Sequence, residues 1–243
     1  MTVYILSSNK SIHAVEAMQY FVNKYWIPNP NVKILSYDYP DNFKLAENFE
    51  LISMGIDEGP DHVTKKIYDC ISKIKDEHFI FTVDDFLPIE FVNTYLLERL
   101  ATKMKNDNIP RISLNNDFYN KQHHKIDSYS SSHYDKTLLY LNDKVTYPGK
   151  ISAIWSMWSK KFFLESIKNA KNLWDWERSG NANQKSILGI SDGVINTCHL
   201  FKHARLRSNW PVIVDSNKQI NNDDKILIEN FLSKWKSEGV IQL

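Results

Sequence analysis

Apolar and polar positions fall into a β-α-β pattern from the first residues. Val3 to Ser7 is an apolar run of strand length, Ile12 to Tyr25 carries apolar residues at helical spacing, and Val32 to Ser36 reads as a second strand. Pro28 and Pro30 stop the helix between them. Phe49 to Met54 predicts a third strand, ended by Gly55. Between Asp61 and Lys75, Val63, Ile67, Cys70, Ile71 and Ile74 share one helical face, while Lys65, Lys66, Asp69 and Lys73 take the other. That helix leads into FIFTVDDF, Phe79 to Phe86, an apolar run that reads as a buried strand of a parallel sheet, followed by Pro88 and a helix-like segment. Ile89 to Met104 predicts the helix, and Pro110 introduces a short strand, Arg111 to Leu114. This alternation predicts an α/β fold with a mostly parallel central sheet and helices on both faces.

The second half is less regular. The polar stretch Asn115 to Asp135 lacks a buried stripe and reads as a mobile loop, with turn chemistry at Asn115, Asn116, Asn120 and Ser130 to Ser132. A strand is expected at Thr137 to Leu141, then a Tyr147-Pro148-Gly149 turn, then the apolar run Ile151 to Trp158 leading into a helix over Lys160 to Ala170. Ser186 to Ile190 is a further apolar segment, before Asp192-Gly193. No repeat or low-complexity linker divides the chain, so one domain is expected over residues 1–243.

Charge narrows the functions. Thirty basic against 29 acidic residues leave a net charge of +1, which points away from nucleic acid and anionic membranes as electrostatic partners. Two cysteines, Cys70 and Cys198, are too few for a disulfide framework, and no apolar window reaches the length of a membrane span or signal core. A cytoplasmic protein without an integral membrane segment is the expectation. Aromatics make up 13% of the chain, and several cluster late, where they could either fill a core or stack on sugars and bases.

Asp84 and Asp85 stand where the FIFTVDDF strand gives out, and ligands of open α/β sheets bind beyond the carboxyl ends of such strands. Paired carboxylates there suit Mg²⁺ or Mn²⁺, which use one or two protein acids plus substrate phosphate. The competing reading is that the two acids cap the next helix. Ser7-Ser8-Asn9 and the Ser53 to Asp57 loop, Asp57 included, precede helices at the same edge and would line the same ligand pocket, with Lys10 a lesser contributor. Trp174-Asp175-Trp176-Glu177 alternates indole and acid. Extended, it would present both acids on one side; as a helix start it would simply bury its indoles. His123, His124 and His133 read as solvated loop histidines. His199 and His203, four apart, would share a face of a helix, and either could join a metal shell if the fold carries it to Asp85.

Two segments carry a family resemblance. FELISMGIDEGPDHVTKKIYDCISKIKDEHFIFTVDDFLPIEFVN, Phe49 to Asn93, resembles the nucleotide-sugar half of GT-A-type glycosyltransferases of phages, large DNA viruses and bacteria. ISAIWSMWSKKFFLESIKNAKNLWDWERSG, Ile151 to Gly180, resembles that group's segment ending in W-E-F-E. The resemblance implies a single Rossmann-like GT-A domain, with residues 1–115 as the nucleotide-sugar half and 116–243 as the acceptor half. It implies metal-assisted transfer, with Mn²⁺ or Mg²⁺, from a nucleoside-diphosphate sugar, a UDP-sugar foremost, to a glycan acceptor. Asp85 matches the last acid of the DxD-type motif, which contacts the metal; Asp84 would bind ribose or a metal-bound water. Asp175 and Glu177 match the acids expected to bind acceptor and act as general base. The chain departs from the pattern in compressing DxD to Val83-Asp84-Asp85, and in an Asp175 one methylene shorter than the usual Glu.

Other readings stand beside this one. A nucleotidyltransferase is disfavoured because SSNKS, not a Gly-rich phosphate loop, follows the first strand. A non-catalytic sugar-nucleotide or glycan-binding protein would keep the aromatics without requiring the metal. No GxxxxGK[ST] is present for a Walker-type NTPase.

Overall fold

A computed structural model of the chain describes residues 1–37, 43–115, 126–129, 138–141, 151–179, 187–190, 194–199, 201–202, 205–206 and 220–239. Its opening follows the sequence pattern closely: β1 (Val3–Leu6), α1 (Ala14–Tyr25), β2 (Val32–Ser36), β3 (Phe49–Ser53), α2 (Val63–Lys73) and β4 (His78–Val83). Then come β5 (Phe86–Pro88), α3 (Thr94–Asn106), β6 (Arg111–Ser113), β7 (Ile126–Tyr129), β8 (Leu138–Leu141) and β9 (Ser156–Ser159). The chain closes with α4 (Lys160–Ile167), α5 (Leu173–Ser179), β10 (Ile187–Ile190), β11 (Thr197–His199), β12 (Phe201–Lys202), β13 (Arg205–Leu206) and α6 (Asn222–Ser237).

The main sheet has the order β3-β2-β1-β4-β9-β6-β10-β8-β7. Its first four strands are parallel neighbours, in the order of one half of a doubly wound fold. β9 runs against both β4 and β6, and β8 runs against β10 and β7, so every other strand points one way. The sheet is therefore mostly parallel, as the β-α alternation predicts.

Alternation along each strand supplies a core on either side. Val3 and Ile5 face one with Ile34, Ile80, Ile112 and Met157, covered by α1, α3 and α6. Tyr4 and Leu6 face the other with Leu35, Phe79, Phe81 and Trp158, covered by α2, α4 and α5. Helix starts are set locally: the Asn93 side chain accepts from Leu96 N at 3.0 Å to open α3, and Ser159 accepts from Phe162 N at 3.2 Å to open α4.

Several sequence expectations need correction. Phe86–Pro88 does not lead straight into a helix but forms β5, pairing antiparallel with β11; α3 begins only at Thr94. Part of the expected 115–135 loop is strand, β7. Within the apolar run Ile151 to Trp158, β9 begins at Ser156. His123, His124, His133, Ser130 to Ser132, the Tyr147-Pro148-Gly149 turn and Asp192-Gly193 lie outside the described residues. Among the described residues no helix is long and apolar enough to cross a membrane.

Candidate functional site

The carboxyl ends of β1, β2, β3 and β4 meet at one edge of the sheet. Ser7 N donates to Leu35 O at 2.9 Å, Met54 N to Ser36 O at 2.7 Å and Asp84 N to Leu6 O at 3.0 Å, which fixes Ser7 beside Asp84. Ser7 Oγ donates to Asp84 Oδ2 at 2.5 Å, and both residues are buried. Burial first, and the neighbouring charge of Asp85 second, push the Asp84 carboxyl up to about 8, while hydrogen bonds from Ser7 and Ser11 act in the opposite direction. Without a counter-charge Asp84 thus favours its neutral form near neutrality. A cation placed against Asp85 would reverse that preference.

Asp85 is only 20% exposed and is met by a residue from much later in the chain. His199 Nε2 lies 2.8 Å from Asp85 Oδ2. The meeting follows from β5 and β11, whose register sets Phe86 opposite His199 and Leu87 opposite Cys198. The Phe86 ring stacks on the imidazole, with centroids 4.0 Å apart and planes 14° from parallel. Ile89 N donates to Asn196 O at 2.9 Å and extends the same ladder. The expectation that His199 and His203 share a helical face is corrected: His199 ends a strand, and His203 lies outside the described residues.

Imidazole nitrogen and carboxylate oxygen are both donors that Mn²⁺ accepts. Among the described residues no group of three or more His, Cys, Asp and Glu gathers to hold an ion. An ion held by Asp85 and His199 would need its remaining oxygens from substrate and water, as such ions use beside phosphate.

The Trp174 to Glu177 segment is the helix α5, so the extended grouping of its two acids is not formed. Trp176 is fully buried against Phe81, Trp158 and Phe163, and its Nε1 donates to Ser166 Oγ at 3.0 Å; Trp174 remains largely exposed. Asp175 accepts from Lys171 N at 2.9 Å and lines an open hollow of about 550 Å³ with Lys171, Asn172, Trp174 and Arg178. Asn172 donates to Asp61 Oδ1 at 3.0 Å, which ties this hollow to the approach of α2. Glu177 Oε1 accepts from Ala153 N at 2.8 Å. Two residues on, Trp155 Nε1 donates to Phe86 O at 2.7 Å, so Glu177 and the Asp84–Asp85 turn are tied to opposite ends of one short segment.

The remaining expected pocket residues keep to the same edge. Ser8 Oγ lies 2.9 Å from Ser11 Oγ, and Asn9 and Lys10 are exposed beyond it. Asp57 is exposed, accepts from Gly59 N at 2.9 Å, and follows Gly55, whose φ of +80° is the left-handed turn that glycine adopts without strain. Ile56 between them is 78% exposed. Sequence reasoning missed Ser11, Phe86 and Trp155. A serine four residues after Ser7 offered a weak signal for the first, and nothing local marked the other two.

No protein-family model matches the chain, and no curated protein does. Among solved structures, S. aureus TarS 1-349 aligns at a TM-score of 0.49 and 13% identity, over 80% of this chain and 58% of that one. UDP-glucose pyrophosphorylase complexed with UDP-glucose aligns at 0.45 and 10%, over 81% of this chain and 92% of that one. The mannosyltransferase PcManGT from Pyrobaculum calidifontis, in complex with GDP-Man and Mn²⁺, aligns at 0.43 and 10%, over 71% and 49%. The chain spans little more than half of TarS 1-349. Likeness at this level carries no activity from those proteins to this one.

Proposed function

We propose that the protein is a metal-dependent glycosyltransferase that moves a sugar from a nucleoside-diphosphate sugar, a UDP-sugar foremost, to a glycan or other hydroxyl acceptor. The observation that carries this reading is the Asp85–His199 contact beside buried Asp84, at the carboxyl end of β4. Asp85 and His199 would hold Mn²⁺ or Mg²⁺. When bound, the ion neutralises charge that builds on a diphosphate leaving group.

This chain's own groups divide the remaining work. Asp84, clamped by Ser7, shapes the turn that presents Asp85 and reaches ribose or a metal-held water. Ser8, Asn9 and the Asp57 loop flank the nucleotide from the neighbouring strand ends. Glu177, held in place by the bond from Ala153 N, takes the acceptor hydroxyl's proton. Asp175 and Trp174 receive the acceptor at the hollow they line.

The binding-protein reading has one observation in its favour: Asp175 and Glu177 each accept from a backbone amide, as structural acids do. The two are separated by release of nucleoside diphosphate from UDP-, GDP- and dTDP-sugars with Mn²⁺. Turnover of one donor supports the transferase; binding of a donor with no turnover toward water or any glycan supports the binding protein.

A further inference from the structure

We propose that Trp155 is the positioning residue that sets Asp85 and His199 against each other, an inference that rests on the cation reading above for its consequence but not for its geometry. The two partners are 114 residues apart in sequence, and each is steered from Trp155 by a separate route. The fully buried indole donates Nε1–H to Phe86 O at 2.7 Å, fixing the residue directly after Asp85. The backbone carbonyl of Trp155 accepts from Leu114 N at 2.9 Å. Leu114 O in turn accepts from Val194 N at 2.7 Å and Ile195 N at 3.0 Å, which starts the chain on its path into β11 and His199. Phe86 then closes the circuit by stacking on the imidazole.

The Trp26 ring packs against the indole with centroids 6.0 Å apart, and Leu87, Ile89 and Cys198 belong to the same buried core, so the Trp155–Phe86 bond lies in an apolar setting. Loss of the indole N–H leaves that carbonyl short of its partner, and the turn bearing Asp85 relaxes. Trp155 itself is fully buried. It acts as outer partners of metal sites do, by holding ligands in register.

The test compares wild type with Trp155→Phe, which keeps an aromatic ring and removes the donor. One readout needs no metal: the imidazole C–H proton resonances of His199, displaced upfield in wild type by the stacked Phe86 ring, should move toward free-histidine positions in the variant. A second uses Mn²⁺ alone: affinity should fall about tenfold or more, and the imidazole-nitrogen coupling in the electron spin echo of bound Mn²⁺ should weaken. A purely structural role would lower the unfolding midpoint and leave both signatures in place, and that result overturns the proposal. If wild type binds no Mn²⁺, the cation reading fails, and the His199 resonances still decide the positioning role. If Trp155→Phe does not fold, benzothienylalanine at position 155 removes only the N–H, and the same two outcomes apply to it.

Discussion

His199 Nε2 sits 2.8 Å from Asp85 Oδ2, a contact that joins the end of one short strand to the turn before another. Neither residue alone distinguishes a cation site from a helix cap or a surface histidine; together, at the carboxyl end of β4, they supply one nitrogen and one oxygen donor. His199→Ala should weaken Mn²⁺ binding about tenfold or more while the protein stays folded, with only a modest loss of stability from the lost stacking on Phe86. Calorimetric titration with Mn²⁺ measures the first and thermal unfolding the second. Equal affinity in both proteins would remove His199 from the site.

Asp84 makes stability depend on pH in the metal-free protein. The folded carboxyl keeps its proton up to about 8, whereas an unfolded aspartate releases it near 4. Between these limits the folded state binds more protons than the unfolded state, so this group's contribution to stability falls as pH rises. In the presence of chelator, wild type should lose stability relative to Asp84→Asn from about pH 4 to pH 8, with the difference levelling above that. Mn²⁺ should reverse the loss at the upper end. Urea unfolding of both proteins across this range checks the sign; a difference that does not change with pH contradicts it.

Glu177 offers a separation of structure from chemistry. Glu177→Gln retains an oxygen for Ala153 N and removes the proton acceptor. Turnover should fall by about 10²- to 10⁴-fold with little change in donor affinity or unfolding midpoint. Glu177→Ala should also cost stability, about 1–3 kcal/mol, because the buried amide loses its partner. Full activity in Glu177→Gln would assign the side chain to structure alone.

Much of the fold is legible in the sequence because its first half repeats one simple physical unit. Runs such as Val32 to Ser36 are buried on both faces, and the amphipathic stripe of Ile67 and Ile71 marks a helix over the sheet. The site is less legible because its decisive contacts are long-range. Phe86-Leu87-Pro88 is too short to show a period, and its status as a strand depends on Thr197-Cys198-His199 arriving beside it. The four-residue spacing of His199 and His203 mimics a helix for the same reason: local spacing carries no record of that partner. In Trp174 to Glu177 the alternation resembles a strand, yet the helix wins because it drives Trp176 into the gap among Phe81, Trp158 and Phe163.

A second distant contact anchors the end of the described chain. Asp224, buried in the first turn of α6, accepts from Lys24 and from the Tyr25 hydroxyl, and Asn221 Nδ2 donates to it at 2.7 Å. Asp224→Ala strands these donors, although Lys24 is one-third exposed and regains water. The expected cost is about 2–4 kcal/mol. Trp235, buried on the same helix with its Nε1 3.1 Å from Glu16 Oε2, should report the loosening as a red-shifted emission at lower urea. An unchanged urea midpoint would show that the bonds to Asp224 do not hold α6 in place.

In the proposed function a cation at Asp85 holds the diphosphate of an activated sugar. Calorimetric titration of UDP into wild type and Asp85→Ala, each with Mn²⁺ and with chelator, tests it most directly. Wild type should bind UDP only when Mn²⁺ is present, and Asp85→Ala should lose that binding with the fold intact. Binding that is equally tight without metal and indifferent to Asp85→Ala would contradict it, as would no binding to wild type in either condition.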